Sequence, residues 1–210
     1  MFSGIIDAMG SVAASRETPG GCELILRAEG YWQDVSAGSS IAVDGVCLTV
    51  TRIEGHEAHF DVITETLRRS TLGRLRPGNF VNLQKSLKAG DPIDGHFVQG
   101  HVDAVATIVQ TERSEMEYKW WYTMDPAAMT YIIPKGSVTI DGISLTVADL
   151  ASDRFSTALI PTTLERTTIG RKQEGDPVNV ETDILARTVV HHLQLLSGRA
   201  DMTAGRGYNP

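Results

Sequence analysis

The chain has 210 residues, of which 41% are hydrophobic and 21% are charged, a composition ordinary for a soluble globular protein. Its net charge is −7 and no run of basic residues is longer than two, which argues against a general nucleic-acid binder and against a protein of anionic membrane surfaces. No apolar run approaches the ~20 residues that a membrane-spanning helix needs, and no signal peptide is visible at the N-terminus.

Cysteine usage bears on the compartment. The two cysteines, Cys22 and Cys47, do not belong to a C-x-x-C pair and are too few for a disulfide framework. We therefore expect both thiols to be reduced and the protein to be cytoplasmic.

An internal repeat organises the chain. Residues 40–50 read SIAVDGVCLTV and residues 137–147 read SVTIDGISLTV, an offset of 97 residues that continues without a gap to Asn82 and Asn179. Each copy has a related opening, MFSGIIDA at residue 1 and FVQGHVDA at residue 97. Two copies of one unit predict two similar domains with two similar sites.

Short segments rich in Val, Ile, Thr and Phe alternate with turn formers in both copies, a pattern typical of an all-β sandwich or barrel. The predicted strands lie within residues 40–53, 59–64, 79–83, 137–150, 154–160 and 177–181. Asp44-Gly45 and Asp141-Gly142 predict tight hairpin turns, because Asp-Gly tolerates the positive φ angles that such turns require. We place the two domains at residues 1–94 and 95–182, with a linker near 89–94, where turn formers gather.

Helices are predicted at three places. One short helix per copy is expected at residues 64–75 and 162–170, with a glycine at the position that often ends a helix. Residues 183–197 have apolar side chains at i, i+3 and i+4 spacing and predict an amphipathic helix. Its apolar face could lie on its own barrel or pair with copies of itself. We favour the pairing, because a short solitary helix is marginally stable in water. The polar, Gly-rich tail 198–210 is predicted to be disordered.

Small polar side chains lie on the strand that follows each Asp-Gly turn. Because strand side chains alternate, Cys47 and Thr49 share one face while Leu48 points to the core. Ser144 and Thr146 hold the same places in the second copy. A polar strand face is often only an outer face in contact with water. Because this face recurs beside a tight turn in both copies, a binding site is the alternative interpretation.

The second copy departs from the first at positions that can carry chemistry. His101 aligns with Ile5 of the first copy, and an imidazole that replaces an aliphatic side chain is a candidate for proton transfer. Lys135 stands opposite Gly38 and could equally be a surface charge. The spacing of His96 and His101 matches no common zinc site, and no cysteine or carboxylate cluster completes one, so we expect no metal.

These motifs resemble the riboflavin synthase family. MFSGII, SIAVDGVCLTV, GHFVQGHVD, KGSVTIDGISLTV and LIPTTLERTTIG occur in order between Met1 and about Leu196. The resemblance implies an all-β fold of two similar six-stranded antiparallel Greek-key barrels in tandem, plus a C-terminal helix that joins three chains into a homotrimer. It also implies a site between the N-terminal barrel of one chain and the C-terminal barrel of its neighbour.

The resemblance further implies a transferase that needs no cofactor. Two molecules of 6,7-dimethyl-8-ribityllumazine would react by four-carbon transfer, giving riboflavin and 5-amino-6-ribitylamino-pyrimidinedione. An association with lumazine synthase stays open. Lumazine- and flavin-binding fluorescent proteins share the fold without the activity, so a non-catalytic binding protein is the first alternative and a purely structural tandem barrel the second.

The resemblance also implies the site residues. The catalytic candidates are His101 and Ser144 for proton handling, Cys47 for assisting addition at the acceptor, and Asp141 and Lys135. The substrate-binding positions include Phe2 and Ser40, which also match positions that matter for turnover. Those assigned to the first barrel are Gly4, Ile5, Ile6, Cys47, Leu48, Thr49, Asp61, Val62, Ile63, Thr64, Glu65 and Thr66. Those assigned to the second barrel are Gly100, His101, Val102, Lys135, Ser144, Leu145, Thr146, Leu159, Ile160, Pro161, Thr162, Thr163 and Leu164. The chain departs from the family pattern at Ser3, usually threonine, and at Thr162, often acidic.

Overall fold

The computed structural model describes residues 1–113 and 118–204, the last seven of them as backbone only. The elements of the first half are β1 (Ala8–Thr18), β2 (Gly21–Arg27), β3 (Ser40–Val43), β4 (Val46–Glu54), β5 (Glu57–Ile63), α1 (Thr64–Arg69) and β6 (Phe80–Lys85). Those of the second half are β7 (Ala104–Arg113), β8 (Tyr118–Thr123), α2 (Pro126–Met129), β9 (Ser137–Ile140), β10 (Ile143–Leu150), β11 (Phe155–Leu159), α3 (Pro161–Arg166), β12 (Pro177–Thr182) and α4 (Ile184–Ala204). Short 3-10 helices occupy Tyr31–Asp34, Thr71–Arg74 and Thr168–Arg171.

Each half closes into a six-stranded antiparallel barrel. The strand order is β1-β2-β5-β4-β3-β6 in the first barrel, and the second barrel repeats it as β7-β8-β11-β10-β9-β12. Closure pairs each strand of a barrel on both sides, which removes the exposed edges along which another chain could add a strand. The prediction of two tandem six-stranded barrels is confirmed.

Side-chain alternation along the strands fills both barrels. On β4, Leu48 and Val50 are buried and Thr49 between them is exposed, as the period of two predicts. Phe60 and Leu24 are among the large buried side chains of the first core, and Trp120 is one of those in the second. Each barrel therefore has a hydrophobic core of its own, and polar side chains such as Thr49 lie outside that core.

The two Asp-Gly turns meet where the barrels pack together. Asp44 and Asp141 have φ of 43° and 44°, and the glycines that follow have φ of 77° and 81°, so the predicted hairpin turns are confirmed. A Cβ atom on Gly45 would lie 2.7 Å from the amide nitrogen of Gly142. Only glycine allows the two turns to approach so closely.

The single helix predicted after β5 is wrong in its extent, and so is its copy after β11. In the first copy the α-helix ends at Arg69, Ser70 is extended with φ of −134°, and a 3-10 helix follows. The Ser70 hydroxyl donates to the carbonyl of Thr66 at 2.6 Å, so a side chain replaces a helical backbone bond. Gly73 does not end the helix; a Cβ atom there would lie 2.8 Å from the Leu67 carbonyl oxygen.

The terminal helix α4 runs to Ala204, seven residues beyond the predicted end at residue 197. The residues that follow Gly198 are mostly good helix formers, which explains why one glycine does not stop it. The rest of the predicted tail, residues 205–210, lies outside the described residues. The exposed apolar side chains of α4 include Leu185, Val189, Leu193 and Leu196. Within the described part of the chain, no helix combines the length and apolarity needed to cross a membrane.

Candidate active site

The opening segments of the two repeats cross over to the opposite barrel. The amide of Ser144, on β10 of the second barrel, donates to the carbonyl of Gly4 at 2.7 Å. The amide of Cys47, on β4 of the first barrel, donates to the carbonyl of Gly100 at 2.8 Å. Each polar strand face is therefore completed by the segment that opens the other repeat.

Glycine is required at both crossings. Gly4 and Gly100 have φ of 79° and 81°, in the left-handed region that favours glycine. A Cβ atom on Gly4 would lie 2.6 Å from the Cβ of Ser144, and one on Gly100 would lie 2.6 Å from the Cβ of Cys47. The backbone can lie against the candidate catalytic strands only because these side chains are missing.

An antiparallel bridge joins the two crossing segments. The amide of Phe2 donates to the carbonyl of Val98 at 2.7 Å, and the amide of Val98 donates back at 3.1 Å. Phe2 is fully buried and packs in one small cluster with Val98 and Ala42, beside Cys47. The N-terminus is thus part of the framework that carries both sites.

We call half-site one the polar face of β4 with the start of α1 and residues 100–102. His101 is exposed and lies with Cys47 and Thr66 around a cavity of about 170 Å³. Ser40 pairs with Thr49 on the neighbouring strand β3. The buried Leu48 and Val62 point into the barrel, so only their backbone atoms are available to a ligand.

We call half-site two the polar face of β10 with the start of α3, residues 4–6 and Lys135. Ser144 is half-buried and Thr146 is exposed, and Ser137 pairs with Thr146 as Ser40 does with Thr49 in half-site one. Leu145 is half-buried, whereas Leu159 points into the barrel and offers only its backbone. The two half-sites therefore share one plan and differ at a few chemical groups.

Lys135 holds a backbone conformation that costs free energy. Its φ is 63°, a region that L-residues avoid by about 1–2 kcal/mol. The first repeat has Gly38 at the same place, with φ of 90°. A lysine kept where glycine fits better is a strain of the kind found at functional sites.

Comparison with known proteins identifies the family of the chain. The model of the lumazine binding domain family matches residues 3–85 and 99–183. Riboflavin synthase of Mycobacterium tuberculosis (strain H37Rv) is 42% identical, over 90% of this chain and 96% of the relative. Riboflavin synthase of Escherichia coli K12 is 39% identical, over 90% of each chain. The chain belongs to the riboflavin synthase family.

Solved structures agree on the fold. LumP complexed with riboflavin has a TM-score of 0.80 and is 25% identical, covering 87% of this chain and 99% of that chain. LumP complexed with 6,7-dimethyl-8-(1'-D-ribityl) lumazine has a TM-score of 0.79 at 23% identity, with the same coverage. These neighbours share the tandem barrels, and the closer sequence relatives carry the name riboflavin synthase.

One feature of the riboflavin synthase site differs from the sequence-based grouping. That grouping put residues 4–6 with the first barrel and residues 100–102 with the second. In the structure the carbonyl of Gly4 accepts from the second barrel and that of Gly100 from the first, so the segments are exchanged at these glycines. Ile5 nevertheless lines a cavity with residues of the first barrel. Sequence order suggested the grouping because each segment opens its own repeat. The Phe2–Val98 bridge explains the exchange: the two segments pair with each other and then continue onto opposite barrels.

Asp141 lies away from any surface that a substrate could reach. It is fully buried where the barrels meet, accepts a hydrogen bond from the Asn179 amide at 2.7 Å and pairs with the Lys172 ammonium at 2.9 Å. Burial raises its pKa, and the ammonium opposes that rise. We therefore interpret Asp141 as a residue that supports the turn before Ser144 and that does not contact the substrate.

His96 is a site residue that the sequence reasoning weighed only as a metal ligand. Its Nδ1 lies 2.7 Å from the hydroxyl oxygen of Ser144, and its Nε2 lies 3.2 Å from that of Thr139. Burial lowers its pKa, so the ring is neutral near pH 7. The repeat gave no signal, because residue 96 precedes the start of the second copy and has no equivalent in the first.

Proposed function

We propose that this chain is a riboflavin synthase that uses its two half-sites for two molecules of 6,7-dimethyl-8-ribityllumazine. The observation that carries the proposal is the pair of half-sites, alike in construction and different at Cys47/Ser144 and Ile5/His101. A dismutation needs two copies of one substrate held alike and treated differently. The products are riboflavin and 5-amino-6-ribitylamino-pyrimidinedione.

Positioning supplies much of the rate enhancement in this proposal. Holding two reactants in the right geometry can contribute ~7–11 kcal/mol. The methyl group on C7 of the lumazine is acidic, because its anion delocalises into the ring. What remains for the protein is to move protons and to assist a nucleophile that adds at C7 of the acceptor.

The polar groups suit those tasks. We assign proton handling to His101 in half-site one and to Ser144 in half-site two, and assistance of addition to Cys47. Lys135 supplies a positive charge next to half-site two. Thr49 and Thr146, identical in the two repeats, hold the same ring in each.

The two half-sites meet across a chain boundary in this proposal. The cavity of about 170 Å³ at half-site one is smaller than the ~300–1,000 Å³ of closed ligand sites, so its ligand needs a covering surface. Ile63 and Ile160, at matching places beside the two half-sites, are each 61% exposed. Two half-sites that face each other would bury both aliphatic side chains.

A homotrimer built on α4 would bring half-sites of different chains together. The exposed apolar side chains of this helix need a cover, and copies of the same helix offer one. We retain residues 1–94 and 95–182 as the two lumazine-binding units, each lending its opening segment to the other. Co-purification with lumazine synthase would test the further association that the family resemblance leaves open.

Incubation of the pure protein with 6,7-dimethyl-8-ribityllumazine alone tests the activity. Riboflavin should form with its own absorbance, one molecule for every two of lumazine consumed. A non-catalytic carrier would instead give a stable coloured complex without riboflavin. Failure to bind any ribityl-pteridine would favour a structural tandem barrel.

A further inference from the structure

The segment that carries His101 is held by a buried carboxylate. Glu181, at the end of β12, is 3% exposed. Its carboxylate accepts the backbone amides of Gln99, Gly100 and His101 at 2.7, 2.8 and 3.0 Å. Three N–H donors on one carboxylate fix the backbone on both sides of Gly100 and therefore the direction in which the His101 side chain leaves it.

The first repeat holds its own segment less tightly and with neutral groups. Gln84 is the equivalent of Glu181 in the first repeat, and its side-chain oxygen accepts a hydrogen bond from one backbone amide, that of Gly4, at 3.0 Å. Its amide nitrogen donates to the Ser3 hydroxyl at 2.8 Å. The segment that bears Ile5 thus donates one backbone hydrogen bond to the Gln84 side chain, whereas the segment that bears His101 donates three to the Glu181 carboxylate.

The terminal helix reaches the same segment through Arg187. One guanidinium nitrogen donates to the side-chain oxygen of Gln99 at 3.0 Å, and another pairs with the Asp103 carboxylate. Asp103 also accepts from the amide and the hydroxyl of Thr182, at 2.8 and 2.7 Å. The Arg187 and Asp103 side chains are only 23% and 19% exposed, so water screens this ion pair less than it would a fully exposed one.

The equivalent carboxylate of the first repeat is tied to its own barrel. Asp7 accepts from the amide of Lys85 at 2.7 Å and from the hydroxyl of Tyr31 at 2.9 Å. In the described part of the chain, α4 forms no hydrogen bond or ion pair with Asp7 or Gln84. The link to α4 is therefore a property of the half-site that contains His101.

We propose that Arg187 is a positioning residue that works with Glu181 to hold the His101 segment from the terminal helix. This inference rests on the proposed function, since it gives α4 a role in the geometry of half-site one beyond assembly. A planar guanidinium suits the task because it can bind two acceptors at once in fixed directions. Loss of Arg187 should leave His101 present and misplaced.

Amide hydrogen exchange tests the clamp without using turnover. Arg187→Gln in the full chain should speed exchange at Gln99, Gly100 and His101 by about tenfold, because local opening becomes easier. Arg187→Lys, which keeps the charge and loses the fork, should give an intermediate rate. Arg16→Gln, which removes an exposed ion pair on β1, is the matched control and should change nothing at these amides. Unchanged exchange in Arg187→Gln would overturn the clamp.

Turnover measurements then test whether Arg187 affects catalysis through His101. Arg187→Gln should lower kcat about tenfold or more while KM changes little, because misplacing a catalytic group is costly even when binding survives. In a His101→Gln background the same change should lower kcat by less than about twofold, since residues that act through one group are not additive. Equal losses in both backgrounds would overturn the positioning role. If the wild-type chain forms no riboflavin, the proposed function fails, and the exchange rates alone decide on the clamp.

Discussion

Cys47 and Gly100, 53 positions apart in the chain, are joined by a backbone hydrogen bond of 2.8 Å that completes half-site one. Ser144 and Gly4 form the matching bond of half-site two. Each half-site thus needs a strand from one repeat and a glycine segment from the other. Neither repeat could form its site without its partner, which gives the tandem arrangement a physical reason.

Gly100→Ala tests this construction. The new Cβ atom would meet the Cys47 side chain at 2.6 Å and would also sit at a strained φ, so we expect a loss of turnover of at least about tenfold. Gly30→Ala is the control, since its φ is 69° with nothing within 4 Å of the new Cβ. Gly30→Ala should lose about 1–2 kcal/mol of stability from strain, and Gly100→Ala should lose more because its Cβ also clashes with Cys47, both measured by urea unfolding. Equal turnover in the two variants would contradict the account.

His96→Gln tests the pairing of the imidazole with Ser144. Burial lowers the pKa of His96, so its neutral form persists on acidification below the usual histidine range. The wild-type kcat/KM should therefore fall only below about pH 6.5, as the ring takes up a proton and its Nδ1 can then only donate to Ser144. The variant should lose rate and lose this acid limb. A pH profile with the same limb in both proteins would assign the limb to another group.

Lys172→Met tests the ion pair between the barrels. Lys172 has Leu75 as its equivalent in the first repeat, and its removal leaves the buried Asp141 carboxylate without a cation. We expect a loss of about 3–5 kcal/mol in the free energy of unfolding. Leu75→Met is the matched control and should cost less than about 1.5 kcal/mol. Adding Asp141→Asn to Lys172→Met should recover part of the loss, whereas no recovery would place the effect elsewhere.

Asp44→Asn tests the pH dependence of stability. Burial, with the nearby Asp141 carboxylate, raises the pKa of Asp44 well above its ordinary value, so the folded state binds a proton that the unfolded state releases. This contribution stabilises the fold at low pH and is lost as the pH rises toward the folded-state pKa. The variant should therefore lose less unfolding free energy than wild type between pH 5 and pH 8. The exposed Asp34→Asn should behave as wild type, and parallel curves for all three proteins would refute the assignment.

The sequence predicted the architecture well because the relevant signals are local. Alternation around Leu48 and the Asp-Gly turns depend on neighbours in the chain, and together with the repeat they indicated two similar all-β domains. The family resemblance supplied the six-stranded barrels. Family resemblance indicated Cys47 and Ser144, and the structure places each on the expected strand face.

Other features depend on contacts that the sequence does not show. The exchange of the opening segments follows from the Phe2–Val98 bridge between residues 96 positions apart, and no local pattern marks it. His96 has no repeat equivalent, and Asp141 looks like a site residue until its burial is known. The break at Ser70 could have been suspected, because a serine hydroxyl competes with helical backbone bonds.

Complementation between two variants tests most directly the claim that half-sites of different chains act together. His101→Gln damages half-site one and Ser144→Ala damages half-site two, so each variant alone should be nearly inactive. After subunit exchange, mixed trimers would join an intact half-site one to an intact half-site two, and about a quarter of the wild-type rate of riboflavin formation should return. A mixture no more active than its separate components would contradict the account.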